Sequence, residues 1–330
     1  MAVQAESVSV EQWAVERQTR ARAGQEPVRR SAQKPTRFDR YVMVDWSASD
    51  TRTSGRDSLW YCASAWRDDT LAVAMPRNPT TRSTCMAELL ALCKDALAQG
   101  ETVLVGFDFP LGFPRGFARA LGLNGSPWRS TWDELAQLVA DSDDNSSNRF
   151  DVAAYLNHRL GGGPGPFWGV PPGRAYVALG AGKPFSFPFR GLPERRLAEL
   201  RATRAQPVWK IAYPGSVGSQ ALTGIPRVRW LRDHPALRQY TRVWPFETGF
   251  GVNGRQGGPW IVLAEIFPSL HQVPVPDGTV KDAAQVEFLA RRFARADAEG
   301  SISQLMALPA GLTASEVETA RSEEGWILGL

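Results

Sequence analysis

Apolar and polar positions along the chain follow two periods. Short, nearly continuous apolar runs at residues 41–45, 59–66, 70–74 and 102–107 read as strands, the second and third joined by a turn at Asp68-Asp69. Between the third and fourth, Met86, Leu89, Leu90, Cys93 and Leu97 recur at helical spacing across residues 82–99, and Gly100 stops that helix. Pro110 and Gly112 then break the chain. Residues 132–140, 150–160 and 195–204 read as helices, and 208–213 as a strand before a helix that follows Gln220. Residues 243–247 and 260–265 read as strands. The last strong pattern, residues 282–297, sets Val286, Leu289, Ala290 and Phe293 on one face of an amphipathic helix. Residues 161–188 are rich in glycine and proline and read as a loop. Residues 1–38 carry few large apolar side chains and read as a disordered tail, with a frayed helix at 8–22 around Trp13. The order of elements predicts an α/β fold.

Three of the apolar runs end in an acid: Val42-Met-Val-Asp45, Val103-Leu-Val-Gly-Phe-Asp108 and Ile261-Val-Leu-Ala-Glu265. Functional groups of open α/β sheets collect beyond the carboxyl ends of strands. Adjacent strands lie about 4.8 Å apart, so acids at neighbouring ends can share metal ions about 3.5–4 Å apart. Oxygen ligands of this kind favour Mg2+ or Mn2+. The alternative is that each acid caps its strand or pairs with an arginine.

Charge is unevenly distributed. The net charge is +4, but residues 112–255 hold nineteen basic and ten acidic side chains, a net +9 between flanks of −3 and −5. A basic stretch beside an acidic cluster suits a polyanion held next to metal-binding carboxylates, and equally an arginine-rich surface. Six of the twelve tryptophans fall in the same stretch, as base-stacking platforms or as core. The three cysteines form no C-x-x-C pair, which argues against a disulfide framework or a cysteine zinc site. No apolar run approaches the roughly 20 residues of a bilayer span. Glu6, Glu11 and Glu16 interrupt any signal-like block, so a cytoplasmic location without membrane contact is expected.

Strand, strand, strand, helix, strand, a long segment, then strand and helix resembles the ribonuclease H-like fold. The chain is also similar, in its phrases, to an uncharacterised bacterial family described as predicted nucleases of that fold, some members labelled cobalamin-biosynthesis proteins. The shared phrases are Val44-Asp-Trp-Ser47, Gly106-Phe-Asp-Phe-Pro-Leu-Gly112, Glu265-Ile-Phe-Pro-Ser-Leu270, Lys281-Asp-Ala-Ala-Gln-Val286 and Glu324-Gly-Trp-Ile-Leu328. Asn148-Arg-Phe150, Gly215-Ser-Val-Gly-Ser-Gln-Ala-Leu222 and Trp244-Pro-Phe-Glu-Thr-Gly249 extend the resemblance among closer relatives. It implies a mixed sheet flanked by helices, with a core at 39–111 and 256–330 and a large insertion at 112–255. It implies Asp45 beside Asp108, and Asp108 beside Glu265. It also implies a fourth acid on the last helix, at Asp282. Related sites often carry two acids on that helix, whereas Asp282 stands alone in its turn.

The implied activity is metal-dependent phosphodiester hydrolysis, with Asp45, Asp108, Glu265 and Asp282 as catalytic and metal-binding residues. Nucleic acid or a phosphate-containing substrate is the expected partner. Gly215-Ser-Val-Gly-Ser-Gln220 before a helix reads as an anion-binding turn or as a helix cap with Ser219 as its capping residue. On the first reading Ser216, Gly218, Ser219, Gln220 and Lys210 contact a phosphate, and Arg149 reaches another. Gly249-Phe-Gly-Val-Asn-Gly254 matches a dinucleotide fingerprint but precedes a strand, so it reads as a hairpin loop. The rival readings are an ATP-dependent phosphoryl transferase of actin-like type and a non-catalytic binding protein.

Overall fold

The computed structural model describes residues 37–251 and 258–330. The expected helix at 8–22, residues 1–36 of the expected tail and the end of the 249–254 motif lie outside them. A six-stranded mixed sheet forms the centre, in the order β3-β2-β1-β4-β6-β5. Its strands are β1 (Arg40–Asp45), β2 (Trp60–Arg67), β3 (Thr70–Val73), β4 (Val103–Phe107), β5 (Thr241–Val243) and β6 (Ile261–Glu265). β1 pairs antiparallel with β2 and parallel with β4, and β6 runs parallel to both β4 and β5. The carboxyl ends of β1, β4 and β6 therefore meet on one edge.

Alternation along the strands divides the core in two. Val42, Val44, Val103, Val105, Phe107, Ile261 and Leu263 face one side, with Cys85, Met86, Leu89 and Cys93 of helix α1 (Arg82–Ala98). The helices of residues 112–255 cover the same side: α2 (Phe117–Ala120), α3 (Pro127–Leu138), α4 (Arg149–Arg159) and α6 (Gly218–Asp233). Tyr41, Met43, Leu104, Val262 and Ala264 face the other side, against Val286, Leu289, Ala290 and Phe293 of α7 (Lys281–Ala298). Short α5 (Leu197–Arg201), α8 (Ile302–Leu305) and α9 (Ala314–Thr319) complete the described α-helices, and a π-helical turn at Ala320–Glu324 follows α9. Both faces are covered, which is why these strands read as continuous apolar runs.

Several expected boundaries change. Residues 37 and 38 belong to the fold: Phe38 is fully buried, and the backbone N–H groups of Arg37 and Phe38 donate to the Asp297 carboxylate at 2.9 and 2.8 Å. That anchor lies some 260 residues away in sequence, so the basic neighbourhood of Phe38 conceals it. Residues 208–213 form no strand. Their backbone makes an isolated bridge from Trp168 to Lys210 and then turns into α6. The strand expected at 243–247 is displaced to β5, because Glu247 folds back to accept the Val243 N–H at 2.8 Å. β5 lies inside the 112–255 stretch yet forms an edge of the sheet. No helix among the described residues is long and apolar enough to cross a membrane.

Candidate functional site

Asp45 is the last residue of β1 and Asp108 follows β4. Parallel pairing of these strands sets the two carboxyl groups side by side, close enough for each to shift the other's pKa. Burial, and then the nearby Asp282 charge, push Asp45 up to about 7. Burial, and then the Asp45 charge, raise Asp108 well above the usual carboxylate range, while the Trp46 N–H, 2.7 Å from Asp108 Oδ1, opposes the rise.

Asp282 sits in the first turn of α7, where the helix dipole favours an anion. Its carboxylate accepts the Asp57 N–H at 2.8 Å, and burial raises its pKa too. Asp45 and Asp282 line one cleft of about 540 Å3, whose opposite wall carries Arg149, Phe150, Tyr213, Ser216, Ser219 and Gln220. The two walls are tied together. Gln220 Nε2 donates to the Trp46 carbonyl at 2.6 Å, and Trp46 Nε1 to Thr223 Oγ1 at 3.2 Å. Arg82, buried at the start of α1, holds the loop after β1 through the Ser47 and Ser49 carbonyls at 3.1 and 2.8 Å.

Six of the ten residues expected at the site thus share the cleft: Asp45, Asp282, Arg149, Ser216, Ser219 and Gln220. Asp108 joins them through Asp45. Glu265 does not. Its carboxylate is buried and gripped by Arg196, with Nη2–Oε1 at 2.6 Å and Nη1–Oε2 at 2.8 Å, and Leu111 N–H adds a third bond at 3.2 Å. Burial works against the Arg196 charge, but Glu265 and Glu199 outweigh it and raise the guanidinium pKa. Glu265 is a structural ion-pair partner, not a metal ligand. Lys210 is also displaced: Nζ donates to the Pro214 carbonyl at 2.8 Å and lies over the Trp168 ring, outside the cleft lining.

The expected anion-binding turn is mostly consumed by the fold. Gly218 N–H bonds the Lys210 carbonyl at 2.9 Å and Ser216 N–H the Tyr213 carbonyl at 3.0 Å. The Ser219 hydroxyl donates to the Ile211 carbonyl and accepts Arg149 Nε at 3.0 Å. Gly218 is needed for close approach: a Cβ there would lie 2.2 Å from the Val208 carbonyl oxygen. Ser219 is not the cap either, since Val217 occupies that position without a side-chain bond. Most tryptophans of the stretch are core: Trp128, Trp132, Trp209 and Trp244 are buried, with Trp128 stacked on Phe246 at 4.9 Å.

Sequence reasoning missed Asp57, Tyr213, Arg56 and Lys281. Asp57 and Tyr213 line the cleft with left-handed backbones, at φ of 55° and 73°. Side chains seldom adopt this conformation, and it concentrates at functional sites. Lys281 lies close enough to lower the pKa of Asp45 and Asp282, and Arg56 that of Asp282. Lys281 stood in plain view, directly before Asp282 in a shared phrase.

The donor set fits one hard divalent ion in kind. Mg2+ is commonly bound through one or two carboxylates plus substrate phosphate, which Asp45 and Asp108 can provide. Among the described residues, no group of three or more His, Cys, Asp or Glu is arranged to hold a metal, and the four-acid shell fails at Glu265. A scan against protein-family models, a search of curated proteins and a search of solved structures find no match to this chain, so the site's chemistry is read from its own side chains.

Proposed function

We propose that the cleft is the active site of a divalent-metal-dependent phosphoester hydrolase on a ribonuclease H-like sheet. The observation that carries this reading is the Asp45–Asp108 pair, two carboxyl groups set side by side at the ends of adjacent parallel strands, with Asp45 lining a cleft. Two recessed carboxyls forced together are costly as anions, and a cation relieves that repulsion. The order β3-β2-β1-β4-β6, with β1 antiparallel to β2 and parallel to β4, supports the fold assignment.

Asp45 and Asp108 would hold Mg2+ or Mn2+. When bound, the ion supplies a water of lowered pKa and offsets charge on the phosphoester. Asp282 and the Asp57 backbone shape the mouth of the site, while Arg149 orients the phosphate from the opposite wall. The test is hydrolysis of bis-p-nitrophenyl phosphate with Mg2+ or Mn2+. Asp45→Asn and Asp108→Asn are each expected to lower kcat by at least about a hundredfold while circular dichroism stays native. Full activity in either variant removes that carboxylate from the mechanism. Binding without hydrolysis in every metal would favour the non-catalytic reading. Transfer from ATP to an acceptor would favour the phosphoryl transferase.

A further inference from the structure

We infer that the cleft accepts one phosphate and one flat ring of a small, nucleotide-sized ester, not a track of phosphates along a polymer. This rests on the hydrolase reading and narrows its substrate. The sequence places +9 in residues 112–255, a sum already net of the stretch's ten acids, but of its nineteen basic residues only Arg149 lines the cleft, and several others are held in ion pairs elsewhere. Arg129 pairs with Asp233, Arg159 with Glu134, Arg227 with Asp141, Arg229 with Asp133 and Arg232 with Glu247. Arg196 is committed to Glu199 and Glu265. The charged residues lining the cleft are Asp45, Asp57 and Asp282 against Arg149, so the lining is acidic. Arg56 and Lys281 add cations near Asp282, which raises the nearby basic groups to about three. A polyanion track needs a longer basic groove than this.

What the cleft does offer is one oriented guanidinium. Arg149 is only 7% exposed. Its Nε donates to Ser219 Oγ, and its Nη1 to Asp50 and to Ser147 Oγ. Among the described residues Nη2 donates to no protein group, and the residue lines the cleft. A guanidinium fixed on two nitrogens, with the third available, is preorganised for one anionic oxygen. In the same lining, Tyr213 is 43% exposed. Its hydroxyl lies 3.0 Å from the Val170 and Ala181 carbonyls, which holds the ring against the neighbouring loops. A fixed, half-exposed ring sharing a cleft with an oriented cation matches a base and its phosphate. The volume of about 540 Å3 falls in the range that encloses one small molecule.

The experiment compares thymidine 5′-monophosphate with a twenty-residue thymidine strand. Binding to the full chain is followed by calorimetry in calcium across a salt series. Each phosphate neutralised on a single strand contributes about −0.7 to the slope of log affinity against log salt. With three cations at hand, a slope shallower than about −2.5 is expected for the strand, with affinity within about tenfold of the mononucleotide. A steeper slope, a larger advantage for the strand, or no mononucleotide binding below about 1 mM overturns the inference. Tyr213→Asn keeps a residue that tolerates the left-handed backbone and removes the ring. It should weaken the mononucleotide about tenfold and leave inorganic phosphate unchanged; equal effects on both, or none, overturn the stacking role. Hydrolysis is scored separately on the p-nitrophenyl ester of thymidine monophosphate. Shallow-slope binding without hydrolysis removes the hydrolase reading alone, and hydrolysis with steep strand binding removes this inference alone.

Discussion

Three neighbouring strand ends of one sheet carry the same sequence pattern and reach two opposite fates. At β1 and β4, an apolar run ends in Asp45 or Asp108, and each carboxyl has the other as its neighbour. At β6, an apolar run ends in Glu265, and Arg196 closes over it with two hydrogen bonds. The strand-end acid is therefore not itself the functional signal. What decides is whether the irregular chain that returns over the edge brings a cation. Residues 193–199 bring Arg196 to β6, whereas β1 and β4 are met by α6 with Ser219 and Gln220, which add no charge. Among the described residues no ion pair engages Asp45 or Asp108, whereas Glu265 is sealed by Arg196.

The sealed end should give the largest effect when broken. Arg196→Met leaves Glu265 and Glu199 buried without their cation, and urea unfolding should show a loss of about 3–5 kcal/mol. Adding Glu265→Gln should restore part of it. A loss below about 1 kcal/mol would mean that the two ends do not differ as described.

The open end should respond with the opposite sign. Folding raises the pKa of both Asp45 and Asp108, so the metal-free fold keeps protons that the unfolded chain has released above about pH 4. The stability due to the protonated pair is complete below that pH. It is lost as pH rises through about 7 at Asp45 and through the raised value of Asp108. In chelator, Asp45→Asn is expected to stabilise the protein by about 1–2 kcal/mol at pH 8 and to change little at pH 4. Thermal melts across pH test this, and equal shifts at both pH values would show that the pair is not strained by charge. In wild type, 10 mM Mg2+ at pH 8 should raise stability by about 1 kcal/mol, an increment Asp45→Asn should abolish.

The smallest effect isolates burial from pairing. Lys183 and Glu194 form an ion pair at 2.6 Å with both side chains about one-third exposed. Lys183→Ala should cost less than about 1 kcal/mol in the same urea assay. A cost comparable to Arg196→Met would show that pairing, and not burial, sets the energies at β6.

The legible parts of the molecule were those in which one short stretch holds both the pattern and its cause. β1, β4, β6 and α7 announce themselves because a buried strand or an amphipathic helix needs only its own apolar spacing. The same locality exposed Asp45 and Asp108. Glu265 reads as a site acid because its partner lies 69 residues earlier, at the start of a short charged helix whose own pattern does not point to the sheet. Phe38 reads as part of a tail because Asp297 holds it from 259 residues away. Gly218 looked like an anion-loop glycine, and nothing in its neighbours reveals that the 208–210 backbone passes within contact of its Cα. Tyr213 carried no periodic signal, since its exposure and backbone conformation arise from the turn into α6.

The spacing of the sheet's partners also sets an order of assembly. β1 pairs with β4 across about sixty residues, as in Met43 with Gly106, whereas β4 meets β6 across more than 150, as in Phe107 with Glu265. Closing a longer loop costs more chain entropy, and pairings distant in sequence form more slowly. The Asp45–Asp108 edge therefore belongs to the half of the sheet that can close first, within residues 40–107. The Glu265–Arg196 lock forms only after the whole intervening chain has been gathered. Refolding followed by amide protection should accordingly show β1, β2 and β4 shielded before β6, with the two acids already brought together while the ion-paired end is still open to water.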